Sequence, residues 1–514
     1  MKRIKEKLNS FFKVSESGSS FRVEIIAGIA TFLAMSYILI VNPNQILYAG
    51  AADSRWPSLF IATAFGAIVG TLLMSLYAKM PLAQASGMGL NSALGGVIGG
   101  GVGAFAYEGL DYSLASALLL VLISGVIFLL LSVIPVKKNK ETGQAVTLRE
   151  LIYDGMPKCL IKAIPVGIGF FIAFIGLQNA KIISANPYTL VEFVDFTKMF
   201  SQGLKNDLGQ INNFAYAIVA FVSFFSIAIF ARFKVKGAVI FGVLIGTLVA
   251  IPLQVTDFAI LSGESGGVTW KFWESFANYF SKDGVFLSVF KDGFNMPEGS
   301  LFTSIMLIIT FCMIDMFDTM GTVVGCTTSV GLVDENGKPL NYNKIMMSDS
   351  IATVAGSMLG TSTVTTFVES GTGIAAGGRT GLSSLVTAIL FALSIFLLPL
   401  FAFIPSSAAA GALIYVGVLM MKNSVSLDLV SVRSACCSFL TILMMVLTYS
   451  ITKGIGIGII SYVVITVISN VLYAIKYHFS KEKNEAEKPV WDISIVLWVI
   501  FALFLLYFLV PTTI

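Results

Sequence analysis

The chain has 514 residues, of which 56% are hydrophobic and only 12% charged, with a formal net charge of +4. Soluble domains carry roughly 25% charged residues, so this composition excludes a soluble fold and defines a polytopic membrane protein. The single histidine, His478, lies in the basic run KYHFSKEK, and Cys159, Cys312, Cys326, Cys436 and Cys437 lack metal-ligand spacing, so neither a histidine triad nor a histidine-ligated metal finds support.

The chain opens on MKRIKEKLNSFFK, a basic amphipathic lead without a small-residue cleavage site, expected to be retained on the cytosolic face as residues 1–21. Apolar windows then predict crossings near 22–43, 58–79, 113–135, 160–179, 213–232 and 236–258. An interrupted stretch, 82–105, is apolar but full of glycine and serine. The loop 261–299 carries GGVTWKFWESFANYFSKDGVF, which reads as an aromatic-rich interfacial segment on the outer side. A second set of crossings follows near 301–325, 345–361, 380–404, 407–422, 433–452 and 455–477, with a second interrupted stretch at 362–378. The tail 479–514 ends in an apolar segment, 492–510, that is either a fifteenth crossing or a membrane-lying helix.

Counting both interrupted stretches gives about fourteen crossings, seven in 22–260 and seven in 300–478. The cation clusters VKKNK (136–140), RFKVK (232–236), DENGKPLNYNK, Arg379 and KYHFSKEK then all fall on the side of the basic N-terminus, as the positive-inside rule requires. The interrupted stretches also match one another. NSALGGVIGG (91–100) aligns with ESGTGIAAGG (369–378), placing Asn91 opposite Glu369, and the preceding AIVGTLLM (67–74) resembles TVAGSMLG (353–360). Seven is odd, so two such repeats must be inverted, the plan of secondary transporters, in which glycine-interrupted segments in corresponding positions point to a midplane substrate site. Non-helical backbone at that depth must line a cavity or be buried in protein. TSTVTTF (361–367) and MPLAQASGMGL (80–90) therefore predict short extended stretches ahead of two half-helices, in segments 3 and 10.

Few acids interrupt the apolar windows: Asp315, Asp318, Asp349 and Glu369. A charge at the membrane centre costs at least ~2.5–3.5 kcal/mol, so such residues usually face a cavity and act there. Asp315 and Asp318 share a helix face. The alternative for Asp315 and Asp349 is that they accept backbone N–H groups of a neighbouring broken helix. For Glu369 and Asn91 the alternative is a simple N-terminal cap. Carboxylates converging in a dry cavity suit a ligand with several N–H donors, and they suit proton coupling. No Walker A sequence is present to support ATP hydrolysis.

The motifs GMGLNSALG (87–95), DMFDTMGTVVG (315–325) and GTSTVTTFVESGTGIAAGGRTG (360–381), with the flank MSYILIVNP (35–43), resemble the nucleobase–cation symporter-2 family, and most closely its purine-permease (AzgA-like) subgroup. The resemblance implies an all-α, fourteen-crossing fold of two inverted repeats divided into core and gate domains, usually dimeric. It also implies import of purine nucleobases (adenine and/or guanine and hypoxanthine) by proton symport across the cytoplasmic membrane, with no cofactor, metal or nucleic-acid partner. Carried over by position, Asp318 and Glu369 match purine-binding acids and Asn91 a polar residue lining the site. Val368 and its neighbours would supply main-chain hydrogen bonds, with Thr319 and Ser370 as adjacent contacts. Asp315 and Asp349 match as supporting or proton-linked positions. The chain departs from the subgroup's LAPGMGLN in reading LAQASGMGLN, with Ser86 at the usual proline and Gln84 nearby. A competing expectation is an anion transporter or exchanger of the same fold, holding its ligand on the half-helix N-termini; Glu369 argues against it. A membrane-embedded enzyme or a channel is a third, without histidine or HExxH-type spacing to support it.

Overall fold

The computed structural model describes residues 2–47, 53–98, 112–138, 145–186, 188–197, 203–205, 211–235, 237–256, 258–262, 268–282, 284–328, 331–333, 339–479 and 493–509. The end of the interrupted stretch 82–105, Lys140, Lys236, residues 334–338 of the loop DENGKPLNYNK, and most of the polar tail lie outside them. Among the described residues, nine helices are long and apolar enough to cross a membrane, and four shorter apolar helices accompany them, Met88–Ile98, Ala238–Ala250, Val432–Leu447 and Ile495–Leu509. Helix dominates because, in hydrocarbon, every backbone polar group must be satisfied within the segment. The interrupted stretches depart from it as expected: each is a three-residue strand followed by a short helix, Gln84–Ser86 before Met88–Ile98 and Val364–Thr366 before Ser370–Ala375.

Two features depart from the plain reading of the apolar windows. The first crossing is broken: Phe21–Met35 stops, and Ile38–Leu47 restarts after Ser36 and Tyr37. The second ends in a π-helical turn, Met74–Ala78, closed by Lys79 in the left-handed region (φ 56°). Short antiparallel hairpins, Pro135–Lys138 with Ala145–Thr147 and Ile183–Asn186 with Leu190–Phe193, occupy two of the connections.

The chain divides into two compact units that each draw on both sequence halves. One comprises residues 1–132, 172–298 and 311–416; the other, 133–171, 299–310 and 417–514. In the second unit, Val432–Leu447 packs on Ile451–Phe479, where Gly454 approaches Met445 and Gly458 approaches Thr441. The terminal helix Ile495–Leu509 packs on the same long helix, with Phe504 fully buried against Gly456. At 15 residues it is about 22 Å long, short of the ~30 Å hydrocarbon core.

The first unit is built around the strand pair. Gln84 pairs with Thr366, Ala85 with Thr365 and Ser86 with Val364, antiparallel. The pair lies against helices Trp56–Leu73 and Tyr342–Leu359, and these admit it through glycine. A Cβ at Gly66 would come within 2.8 Å of Thr361 Cγ2, one at Gly70 within 2.7 Å of Val364 Cγ1, and one at Gly356 within 2.6 Å of Val364 Cγ2. Ordinary carbon contacts lie near 3.5–4.0 Å, so three missing side chains make the slot. The aromatic segment expected as an outer interfacial element forms helix Phe272–Phe280; Trp270 and Trp273 are exposed, while Tyr279 is buried and donates to the Leu359 carbonyl at 2.8 Å.

Candidate functional site

The site grows out of the strand pair because its backbone is held from both sides. The Thr71 hydroxyl spans the Gln84 backbone, accepting from its N–H at 3.0 Å and donating to its carbonyl at 2.9 Å. The Ala83 N–H donates to Ser370 Oγ at 3.0 Å, which ties the start of one half-helix to the opposite strand. Asn42, from the restarted first crossing, donates to Thr63 at 2.6 Å and to Thr361 at 2.9 Å, and Thr361 in turn shares a 2.6 Å bond with Ser86. Backbone that would be orphaned in hydrocarbon is thus paired within the protein.

Beneath the strands lies a layer of polar groups without solvent access. Asp349, on Tyr342–Leu359, accepts at Oδ1 from Gln84 Nε2 at 2.7 Å and from the Thr319 hydroxyl at 2.8 Å. Asp315 accepts from the Thr353 hydroxyl at 2.8 Å. Asn91, fully buried on Met88–Ile98, accepts from the Ser362 hydroxyl. The hydroxyls of Thr319 and Thr353 and the amide of Gln84 thus donate to the two aspartates from side chains. Asp315 and Asp349 lie within electrostatic reach of each other.

Three neighbouring residues are less completely buried and form the rim of the site. Asp318 is half-buried and within electrostatic reach of Glu369. Val368 is 41% exposed, and its carbonyl lies 3.6 Å from Cys326 Sγ. Glu369 retains 5% exposure. It occupies the N-cap position of Ser370–Ala375, yet its backbone is αR (φ −62°, ψ −18°) and its side chain makes no capping bond. The carboxylate is instead directed to Tyr37, whose hydroxyl donates to Oε1 at 2.6 Å. A plain capping role for Glu369 is therefore not what the geometry delivers.

Of the residues singled out from sequence, Asp318, Val368 and Glu369 come together on the rim; Asp315, Asp349, Thr319, Asn91 and Ser370 form the buried support. Sequence reasoning missed Tyr37, Gln84, Thr353 and Ser362. Two had signals: Tyr37 sits in the flank MSYILIVNP, and Gln84 in the departing motif LAQASGMGLN. Among the described residues, no group of three or more His, Cys, Asp or Glu gathers that could hold a metal ion.

Broken helices from two inverted repeats, meeting at a polar site in an otherwise apolar membrane protein, define a secondary carrier. Residues 22–457 match the permease family, and the chain belongs to the nucleobase–cation symporter-2 family of permeases. It is 34% identical over 461 residues to an adenine permease of Escherichia coli (strain K12), covering 90% of each chain. To a guanine/hypoxanthine permease of Bacillus subtilis (strain 168) it is 33% identical over 515 residues, covering 98% of this chain and 99% of the relative. Among solved structures, it resembles the transmembrane domain of a cyanobacterium bicarbonate transporter, with TM-score 0.55 and 17% identity over 83% of this chain and 96% of that one. It also resembles the murine solute carrier 26 family member A9 anion transporter in the inward-facing state, with TM-score 0.54 and 12% identity over 88% and 69%. At such identities the likeness establishes the inverted-repeat, core-and-gate fold alone. The chain is a permease, not an enzyme.

Proposed function

We propose that the protein imports purine nucleobases, adenine or guanine and hypoxanthine, by proton symport and alternating access. The observation that carries this is Glu369, a buried carboxylate at a half-helix start that leaves its own helix uncapped and lies within electrostatic reach of the half-buried Asp318. Purines present ring N–H donors, joined in adenine and guanine by an exocyclic amine, which two carboxylates accept; main-chain groups around Val368 supply donors and acceptors for the ring nitrogens and for the carbonyl of guanine and hypoxanthine. Thr319, Ser370 and Asn91 line and support the same site, and Asp315 and Asp349 serve as supporting, proton-linked groups. The relatives named as adenine and guanine/hypoxanthine permeases support the substrate class. The protein works in the cytoplasmic membrane with its N-terminus inside, as a homodimer. An anion carrier is not favoured, since Glu369 and Asp318 would repel the ligand.

Uptake of radiolabelled adenine, guanine, hypoxanthine, xanthine, uracil and sulfate, with and without a proton ionophore, tests the proposal. Saturable purine uptake should be lost in Glu369→Gln and Asp318→Asn, and the ionophore should collapse accumulation. Sulfate uptake, or full purine uptake in both variants, would refute the purine assignment; sodium-dependent, ionophore-insensitive accumulation would refute proton coupling.

A further inference from the structure

Tyr37 occupies the break in the first crossing, between Phe21–Met35 and Ile38–Leu47, and is fully buried. The ladder carries through in part, with the Ser36 N–H on the Phe32 carbonyl at 2.7 Å and the Val41 N–H on the Tyr37 carbonyl at 3.0 Å, and Tyr37 stands where the two helices join. Here the hydroxyl reaches both half-helix starts. It donates to Glu369 Oε1 at 2.6 Å and lies 3.5 Å from the sulfur of Met88, the first residue of Met88–Ile98. A 2.6 Å O–H···O contact falls in the range of charge-assisted bonds to carboxylate.

We infer that Tyr37 is a positioning residue for substrate recognition: its hydroxyl anchors one oxygen of Glu369 where the two half-helices begin, orienting the carboxylate before a ligand arrives. This rests on the proposed role of Glu369 as a purine contact. A glutamate has three rotatable side-chain bonds, and a binding site that must first freeze them loses affinity to that ordering. Glu369 makes no side-chain capping bond to its helix, and the tyrosine supplies an anchor from a segment outside both half-helices. The fixed Oε1 leaves the carboxylate's remaining acceptor capacity for ligand N–H groups.

The test is equilibrium binding of radiolabelled adenine, guanine and hypoxanthine to the purified full-length protein, read on the monodisperse fraction, together with KM and Vmax in proteoliposomes. Tyr37→Phe removes the hydroxyl and keeps the ring. It should raise Kd and KM about tenfold or more, the usual effect of losing a hydrogen bond to a charged group, with Vmax changed less than about threefold. Tyr279→Phe is the control, because it deletes another buried hydroxyl bond of 2.8 Å away from the half-helix starts; it should leave Kd unchanged. Wild-type binding with Tyr37→Phe within twofold of it would overturn the positioning role, as would an equal rise in Tyr279→Phe. Failure of the wild type to bind any purine would overturn the purine assignment, and this inference with it.

Discussion

Replacing Gly356 with alanine perturbs the site without touching any group that would meet a ligand. The added Cβ would lie 2.6 Å from Val364 Cγ2, 3.0 Å from the Ser362 carbonyl and 3.4 Å from Thr361 Cγ2. Relief of the first contact needs a retreat of about 1 Å, judged against ordinary carbon contacts. Val364 is paired with Ser86, so the retreat would drag the strand pair and the half-helix starts with it. Overpacking of this kind costs about 1–3 kcal/mol, while alanine regains about 1 kcal/mol of helix propensity over glycine; the net is a loss of up to about 2 kcal/mol. Trimming Val364 to alanine removes the offending methyl group and leaves only the two longer contacts. The apparent melting midpoint of the purified protein and its purine uptake rate should therefore fall in Gly356→Ala and recover in part in Gly356→Ala/Val364→Ala. If the double variant melts below the Gly356→Ala single by the full cost of Val364→Ala alone, the slot does not work as described.

Two further perturbations separate structural from peripheral charge. Asp349→Asn retains an oxygen for Gln84 and Thr319 and should fold and reach the membrane, whereas Asp349→Leu strands both buried donors at about 1–3 kcal/mol each and should leave little folded protein by size-exclusion profile. Equal yields of the two would contradict the bonding described. At the connection between the first two crossings, the Arg55 side chain bonds Asp53 at 2.7 Å and holds its carboxyl below the usual aspartate range. A depressed carboxyl contributes stability above its unfolded pKa, near 4, and loses it as pH falls through the lower folded value. Arg55 is half exposed, so Arg55→Ala should cost under about 1 kcal/mol at neutral pH and nothing in strong acid; a larger loss, or one that grows in acid, would contradict this.

Much of this architecture was legible in the residues, and particular stretches show why. The glycines that interrupt 82–105 and 362–378, read with the β-branched TSTVTTF, led to strand and half-helix because no other backbone suits them at that depth. The match of AIVGTLLM with TVAGSMLG set Gly70 opposite Gly356, and both turn out to flank Val364. The acids were visible as rare carboxylates within apolar windows. What stayed hidden was partnership across long sequence separations. Tyr37 and Glu369 are 332 residues apart, and Gln84 and Asp349 are 265 apart; no local pattern encodes either pair. The break at Ser36–Tyr37 was hidden too, since the run around it, AMSYILIV, carries no glycine or proline to mark it.

The inverted repeat also explains how one site acquires two characters. Strands related by a twofold axis in the membrane plane meet antiparallel, as Gln84–Ser86 and Val364–Thr366 do, so each half-helix begins beside the start of the opposite strand. Equivalent positions then sit in one small volume, and identical side chains there would duplicate a charge that hydrocarbon penalises. The two repeats have diverged instead. The second carries all four acids, Asp315, Asp318, Asp349 and Glu369; the first answers with neutral groups, Asn91, Gln84 and Tyr37, two of which bond directly to those acids. The first repeat thus holds and orients the charge that the second supplies, so that exchanging Glu369 and Asn91 between their positions should abolish purine binding even though the composition of the site is unchanged. Asn91 is fully buried against Ser362, while Glu369 lies within electrostatic reach of the half-buried Asp318, and a carboxylate moved to position 91 would lose both the Tyr37 anchor and the ligand. Retention of wild-type affinity in the exchanged protein would show that the two positions are equivalent and that the division between repeats is not functional.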